Sequence, residues 1–492
     1  MAGTISSVGI GASGLDVSSI ITKLVELEKA PLTKLQAQAT LITTRISAYS
    51  QIKSLSSTLS DAALKLSLST TWKAVSVTSS DSGTVKAATS GSSIPSVSSF
   101  SVKVQQLARA QSAATSDFTG GGDGTLSIQL GTWNNTVDPL SGTVTASAFA
   151  AGSAGAVAVE ISPADTVADI ATKINKSGAG VTATVLGDAS GQRLLVRSNA
   201  TGEASGFRIQ VTETTPDGDD AAGLSRLAFD PETSASGMAS AANVGSVQYG
   251  LNAKATINNI AVSSTSNTFT DTIPGMTFTV VKESAAPVEI NAASDTAAMT
   301  KSVQAFVDAY NALNSLIAEN TKYDAGNKQA TLLQGDSSAI GIQNMLRNLV
   351  GSVTTGGAYE RLSDIGVSIQ TDGALAIDST KLSAALNSNV NGVSNLFTAD
   401  NGNTQINGFG VKLKAFMSGL LATTGTIGNR TAALTAEQKR NSTDQTKVND
   451  RVTVVEARLQ KQYTALDTKM ASLTALNTYI TQQVAQWNKS TG

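Results

Sequence analysis

Three groups of residues have types and spacings that could do chemistry. Gly9, Gly11 and Gly14 match G-x-G-x-x-G, a pattern that cradles a pyrophosphate when a strand feeds the turn and a helix leaves it. Here only eight residues precede the motif, and the helical pattern after it runs into Pro31 and then more helix. A glycine-rich leader that becomes ordered on assembly fits that context better than a nucleotide site. Asp217, Asp219 and Asp220 could gather a cation, but they lack the loop spacing and distal bidentate Glu of an EF-hand, so a solvated turn is expected. Ser and Lys are plentiful, yet nothing resembles S-x-x-K with its partner motifs. The chain has 0 Cys and 0 His, which removes thiolate chemistry, disulfides and the commonest general base and metal ligand. No catalytic residue, metal or cofactor is expected, and the chain reads as a non-enzyme.

The same composition limits partners. Lys and Arg number 35 against 37 Asp and Glu, a formal charge of −2, so nothing draws the whole chain to phosphate. Nucleic acid is not an expected partner. Apolar runs are only a few residues long, far from the ~18 that a membrane helix needs, so no membrane insertion is expected. The surplus of Ser, Thr, Ala, Gly and Asn suits an extracellular appendage. Met1–Ile10 lacks a basic n-region and an apolar h-region, so export without a cleaved signal is expected.

At 492 residues the chain is long enough for about three domains. Proline divides it, because proline removes a backbone donor and breaks helices and central strands. Of 8 prolines, only Pro31 precedes Pro95, and none follows Pro287. The ends can therefore be helical and the middle cannot. Ile46, Tyr49, Ile52, Leu55, Leu59 and Leu66 recur mostly at steps of three and four, which predicts an amphipathic helix. Val448, Val452, Val455, Leu459, Leu466, Met470, Leu473, Leu476, Ile480 and Val484 follow a heptad spacing that Gln462 interrupts. A coiled coil with another chain and an internal bundle helix of a monomer both fit that seam.

The middle alternates with period two at Val75 and Val77, at Phe100, Val102 and Val104, and at Val157, Val159 and Ile161, predicting half-buried strands. Val181–Val185, Arg193–Ser198, Phe207–Val211, Thr256–Val262, Met276–Val281 and Val288–Ala292 read the same way. Within this region Asp165 is expected to cap a helix that presents Val167, Ile170 and Ile174 on one face. Gly120–Gly124 and Thr215–Asp220 read as turns or tips. A helical block resumes after Asp295 with Met299, Val303, Phe306, Val307, Tyr310, Leu313 and Ile317. Helices that flank an insertion must meet, because isolated helices are marginal in water and each exposed Leu, Ile or Val forfeits about 1.5–3 kcal/mol.

The stretch GIGASGLDVSSIITKLVELEKAPLTKLQAQ resembles the start of the bacterial flagellar filament cap family, the hook-associated protein 2 family. The resemblance continues through DTVADIATKIN, GQRLLVRSNATG, TINNIAVSSTSNTFTDTIPGMTFTV, LLQGDSSAIGIQNMLRNLV and LSDIGVSIQTDGALAIDSTKLSAALNSNVNGVSNLF, in family order. Leu126–Val157 and Thr212–Ala242 match nothing in it. What it implies is a multidomain α+β chain. Terminal helices form a coiled-coil leg and a helical bundle, with two β-rich head domains inserted between them. The corresponding segments are residues 1–41 with 437–492 as leg and 42–75 with 293–436 as stem. Residues 76–116 with 243–292 make a head domain, and residues 117–242 make an inserted outer head domain.

The resemblance further implies a structural cap at the distal tip of the flagellar filament, secreted through the flagellum, that retains exported flagellin and promotes its folding and insertion. Implied partners are further copies of the chain in a ring, a pentamer being favoured, together with flagellin, the junction protein at the start of the filament and an export chaperone before secretion. The ring has fewer subunits than the filament has protofilaments, so legs must be flexible enough to occupy unequal positions. Interface contacts are expected from Leu15, Ile20, Ile21, Leu24 and Leu27 at one end, and from Val455, Leu459, Leu466, Met470, Leu473 and Ile480 at the other. A junction or filament subunit of the same export system and a surface adhesin at the tip are the alternative functions.

Overall fold

The first helix, Val17–Ser67, is 51 residues long, and Pro31 lies inside it on the solvent side. The computed structural model describes residues 16–490 except 121, 138–143, 190, 217–222, 234–236, 241–245, 325, 327–328 and 404. The glycine motif at Gly9–Gly14, Leu15 and the Asp217–Asp220 cluster lie outside the described residues. In chain order the helices are α1 (Val17–Ser67), α2 (Ser69–Trp72), α3 (Val167–Lys176), α4 (Thr296–Thr321), α5 (Ser337–Val350), α6 (Ser379–Thr398), α7 (Phe409–Leu421) and α8 (Thr426–Ser490). The chain divides into one unit of Met1–Trp72 with Thr296–Gly492 and a second of Lys73–Asp295. Thus a β-rich unit is inserted between helical ends, the α+β class expected from the placement of proline.

In the helical unit the predicted stripes are the core. Tyr49, Ile52, Leu59 and Leu66 of α1 are buried, as are Met299, Val303, Phe306, Val307, Tyr310, Leu313 and Ile317 of α4. Aromatic rings lock the far end: Trp72 stacks on Phe397 at 4.8 Å between centroids, and Phe409 meets Phe306 edge-on at 5.2 Å. The Trp72 Nε1–H donates to the Leu66 carbonyl at 2.8 Å, satisfying one of the orphan acceptors at the end of α1. Asn389 leaves helical dihedrals inside α6, and its Oδ1 accepts the Gly392 N–H at 2.8 Å, recapping the second half.

The inserted unit holds two apolar clusters. One lies between a five-stranded antiparallel sheet, ordered Val75–Ser79, Val288–Ser294, Ser98–Gln106, Ala253–Ile257 and Ile260–Ser264, and a three-stranded sheet, ordered Thr268–Ile273, Met276–Val280 and Val85–Thr89. Asn258 and Asn259, at φ 48° and 68°, form the two-residue turn that joins the last two strands of the larger sheet. Phe269 and Phe278 face each other across the smaller sheet and stack at 4.7 Å.

The other cluster is built around Gly124–Val137, a strand not anticipated from the sequence. It pairs with Gly206–Glu213 on one side and with Val157–Ile161 and then Val144–Ala151 on the other. Leu126 and Ile128 alternate inward, a signal that was present in the sequence but diluted by polar neighbours and glycine. The Gln111 side chain clamps Phe207 by donating to its carbonyl at 2.8 Å and accepting its N–H at 3.0 Å. The same carbonyl accepts the Trp133 Nε1–H at 2.9 Å.

In α3, Val167, Ile170 and Ile174 are buried as expected, but the cap is one residue later than predicted. Thr166 and Asp169 form a reciprocal capping box, whereas Asp165 accepts the Ser162 N–H at 2.7 Å and pairs with Lys173. Thr166 wins the cap because its hydroxyl and the carboxylate three residues on satisfy two orphan donors at once. The hydrogen bond from Lys173 holds the Asp165 carboxyl below its ordinary range.

Candidate assembly interface

The two terminal helices lie antiparallel. Glu28 pairs with Arg451 at 3.1 Å, the Asn441 amide donates to the Leu35 carbonyl at 3.0 Å, and the Gln438 amide donates to Thr43 Oγ1 at 3.1 Å. Numbers fall along one helix as they rise along the other, so Val17 comes level with α8 near Gln462. Val25 and Val452, at 6% and 5% exposure, are buried along the paired stretch. Asn441 is also buried there, and a single buried amide in a helical seam fixes register at some cost in stability.

Beyond that level α8 continues for about 28 residues, or roughly 42 Å at 1.5 Å per residue. Leu466, Met470, Leu473, Leu476, Ile480 and Val484 project there at 3-4 spacing, with Leu473 at 57% and Ile480 at 50% exposure. No described residue covers them. Trp487, which the heptad reading passed over, is exposed by 77%. Of the residues expected to make contacts, Ile20, Ile21, Val455 and Leu459 are half-buried, while Leu24, Leu27, Leu466, Met470, Leu473 and Ile480 are exposed. The paired and projecting parts of α8 divide near Gln462, the residue that interrupts its heptads.

Further along α1, around Tyr49, charge joins apolar contact. Asp336 caps α5 by accepting the N–H of Ser338 at 3.0 Å and of Ala339 at 3.2 Å. It also accepts the Tyr49 hydroxyl at 2.6 Å and pairs with Arg430 at 2.9 Å, tying α1, α5 and α8 at one carboxylate. Burial pushes the Asp336 carboxyl up, but the bonds from Tyr49, Ala339 and Arg430 outweigh it and leave it below the ordinary carboxylate range. Burial, followed by the bond to Asp336, raises the Tyr49 phenol well above its usual value. Sequence reasoning placed Tyr49 in an apolar stripe and missed this knot.

Among the described residues no group of three acids is placed to hold a metal ion, and no helix is long and apolar enough to cross a membrane. The features that stand out are surfaces, and a helical frame with a projecting apolar stripe on α8 and a β-rich insertion defines a chain built for assembly with other chains.

Comparison with known proteins gives that class a family. The models for the flagellar hook-associated protein 2 N-terminus and C-terminus match residues 13–111 and 250–475, and that for the flagellin hook IN motif matches 143–200. The flagellar hook-associated protein 2 of Escherichia coli K12 is 31% identical, with 98% of each chain covered. The B-type flagellar hook-associated protein 2 of Pseudomonas aeruginosa is 28% identical over 98% of each. A crystal structure of domains D1–D2–D3 of the Escherichia coli flagellar cap protein matches with a TM-score of 0.57 and 26% identity, covering 79% of this chain and 99% of that one. The chain belongs to the flagellar hook-associated protein 2 family.

Proposed function

We infer that this chain caps the distal end of the bacterial flagellar filament and acts there mechanically, without catalysis. Residues 1–41 and 437–492 serve as the leg that enters the filament end. Residues 42–75 and 293–436 form the stem, and the β-rich segments 76–116 with 243–292 and 117–242 form the head over the growing end. Further copies of the chain complete a ring, with a pentamer favoured. Flagellin arriving through the filament is held under the head until it folds and adds. The junction protein is the first surface the cap rests on, and a chaperone accompanies the chain before export.

The observation that carries this reading is the apolar stripe from Leu466 to Val484, which projects on an unbroken helix past the first turn of α1. Half-exposed side chains of this size gain on the order of 1 kcal/mol each when covered, so six of them reward docking into a helical wall. Deleting residues 1–35, or those after Val448, is expected to leave folded head domains while unpolymerised flagellin escapes into the medium. Filaments of normal length from either truncation would overturn the mechanism. Junction and adhesin readings lack a comparable observation.

A further inference from the structure

An apolar groove of about 530 Å³ lies in the helical unit between α5 and α7, with Met345, Leu349, Val411 and Phe416 in its walls. Lys412 lines it too and is only 7% exposed. Its Nζ donates to Ser352 Oγ at 2.9 Å and to the Val353 carbonyl at 2.8 Å, both neutral acceptors. Among the described residues no carboxylate lies within ion-pair distance of it. An ammonium desolvated without a counter-charge is costly, and burial lowers its pKa accordingly. An occupant suited to this groove brings aliphatic side chains and one carboxylate.

The chain carries such a surface on another helix. In the last turns of α1, Leu59, Ala63 and Leu66 face inward and are buried. Half a turn away, at helical spacing, Asp61 is exposed and Leu64, three residues on, is 40% exposed, while Leu68, the extended residue that caps the helix, is 46% exposed. On α7 the buried face is Leu413 and Met417, and Val411 and Ala415 lie about half a turn from it. Groove and edge thus sit on outward faces of different helices, and each is uncovered in one copy. Two unlike surfaces of one chain that fit each other make a heterologous contact, the kind that closes rings.

We propose that the α5–α7 groove receives the Asp61–Leu64 edge of α1, with Leu68 just past its end, from a second copy of this chain, with Asp61 supplying the counter-charge for Lys412. This stem-to-stem contact rests on the reading of the chain as a ring former and names the surfaces that meet.

The absence of cysteine makes a clean test. Full-length Leu64→Cys and Ala415→Cys chains are mixed under mild oxidation while particle mass is measured on the same sample. A mixed disulfide dimer is expected from that pair and not from Leu64→Cys with Ser442→Cys. The exposed substitution Asp61→Lys, which leaves the core untouched, is expected to weaken self-association about tenfold. Assembled particles without the disulfide, or unchanged association of Asp61→Lys, overturn this contact and leave the ring standing. A chain that stays monomeric throughout overturns both.

Discussion

At Asp336 one carboxylate holds three helices, and its effect on stability has a sign. Its pKa in the folded chain is lowered, so its contribution is complete above the ordinary carboxylate value of about 4 and is lost as pH falls through the lowered value. Asp336→Asn keeps the shape but removes the charge that Arg430 faces. It is expected to cost about 3 kcal/mol at neutral pH and to flatten the acid limb of the stability curve. Urea unfolding at pH 3 and pH 7 checks this, since an equal loss at both would show that the charge is not what matters. None of this was legible in the sequence. Tyr49 reads as one more apolar stripe member, and the acid that takes its hydroxyl is 287 residues away.

Elements were more legible where periodicity and burial agree. The stripes of α1 and α4 and the strands around Val102 and Val159 stand where alternation or 3-4 spacing placed them, because one face of each is buried. The strand Gly124–Val137 escaped because its polar residues mask the inward Leu126 and Ile128. The start of α3 was misplaced by one residue because both Asp165 and Thr166 can cap, and only the partner at Asp169 decides between them. Thr166→Ala is accordingly expected to lower stability by about 1 kcal/mol, read as an earlier thermal transition of the β-rich unit. An unchanged transition would mean that Asp165 can take over the cap. In α8, by contrast, the heptads gave the stripe but not its division. Only the pairing partners Glu28, Leu35 and Thr43 show which half is already covered and which projects.

For the whole molecule, proline placement told the chain's order of helix, β-rich insertion and helix, while surfaces carry the function. No signal in one sequence separates an apolar residue that waits for a partner from one that packs at home, since both obey the same spacing. Val452 and Leu473 belong to one heptad run, yet one is buried and the other is 57% exposed. The central claim is that the projecting half of α8 seats the cap. The measurement that tests it most directly uses full-length chain carrying Leu473→Asp with Ile480→Asp, exposed positions whose change leaves the core intact. Flagellin is then assayed in the medium and in filaments of cells that have this chain as their only cap. The account predicts a folded, exported protein with flagellin lost to the medium and filaments short or absent. Filaments of normal length, with no flagellin lost to the medium, would contradict it.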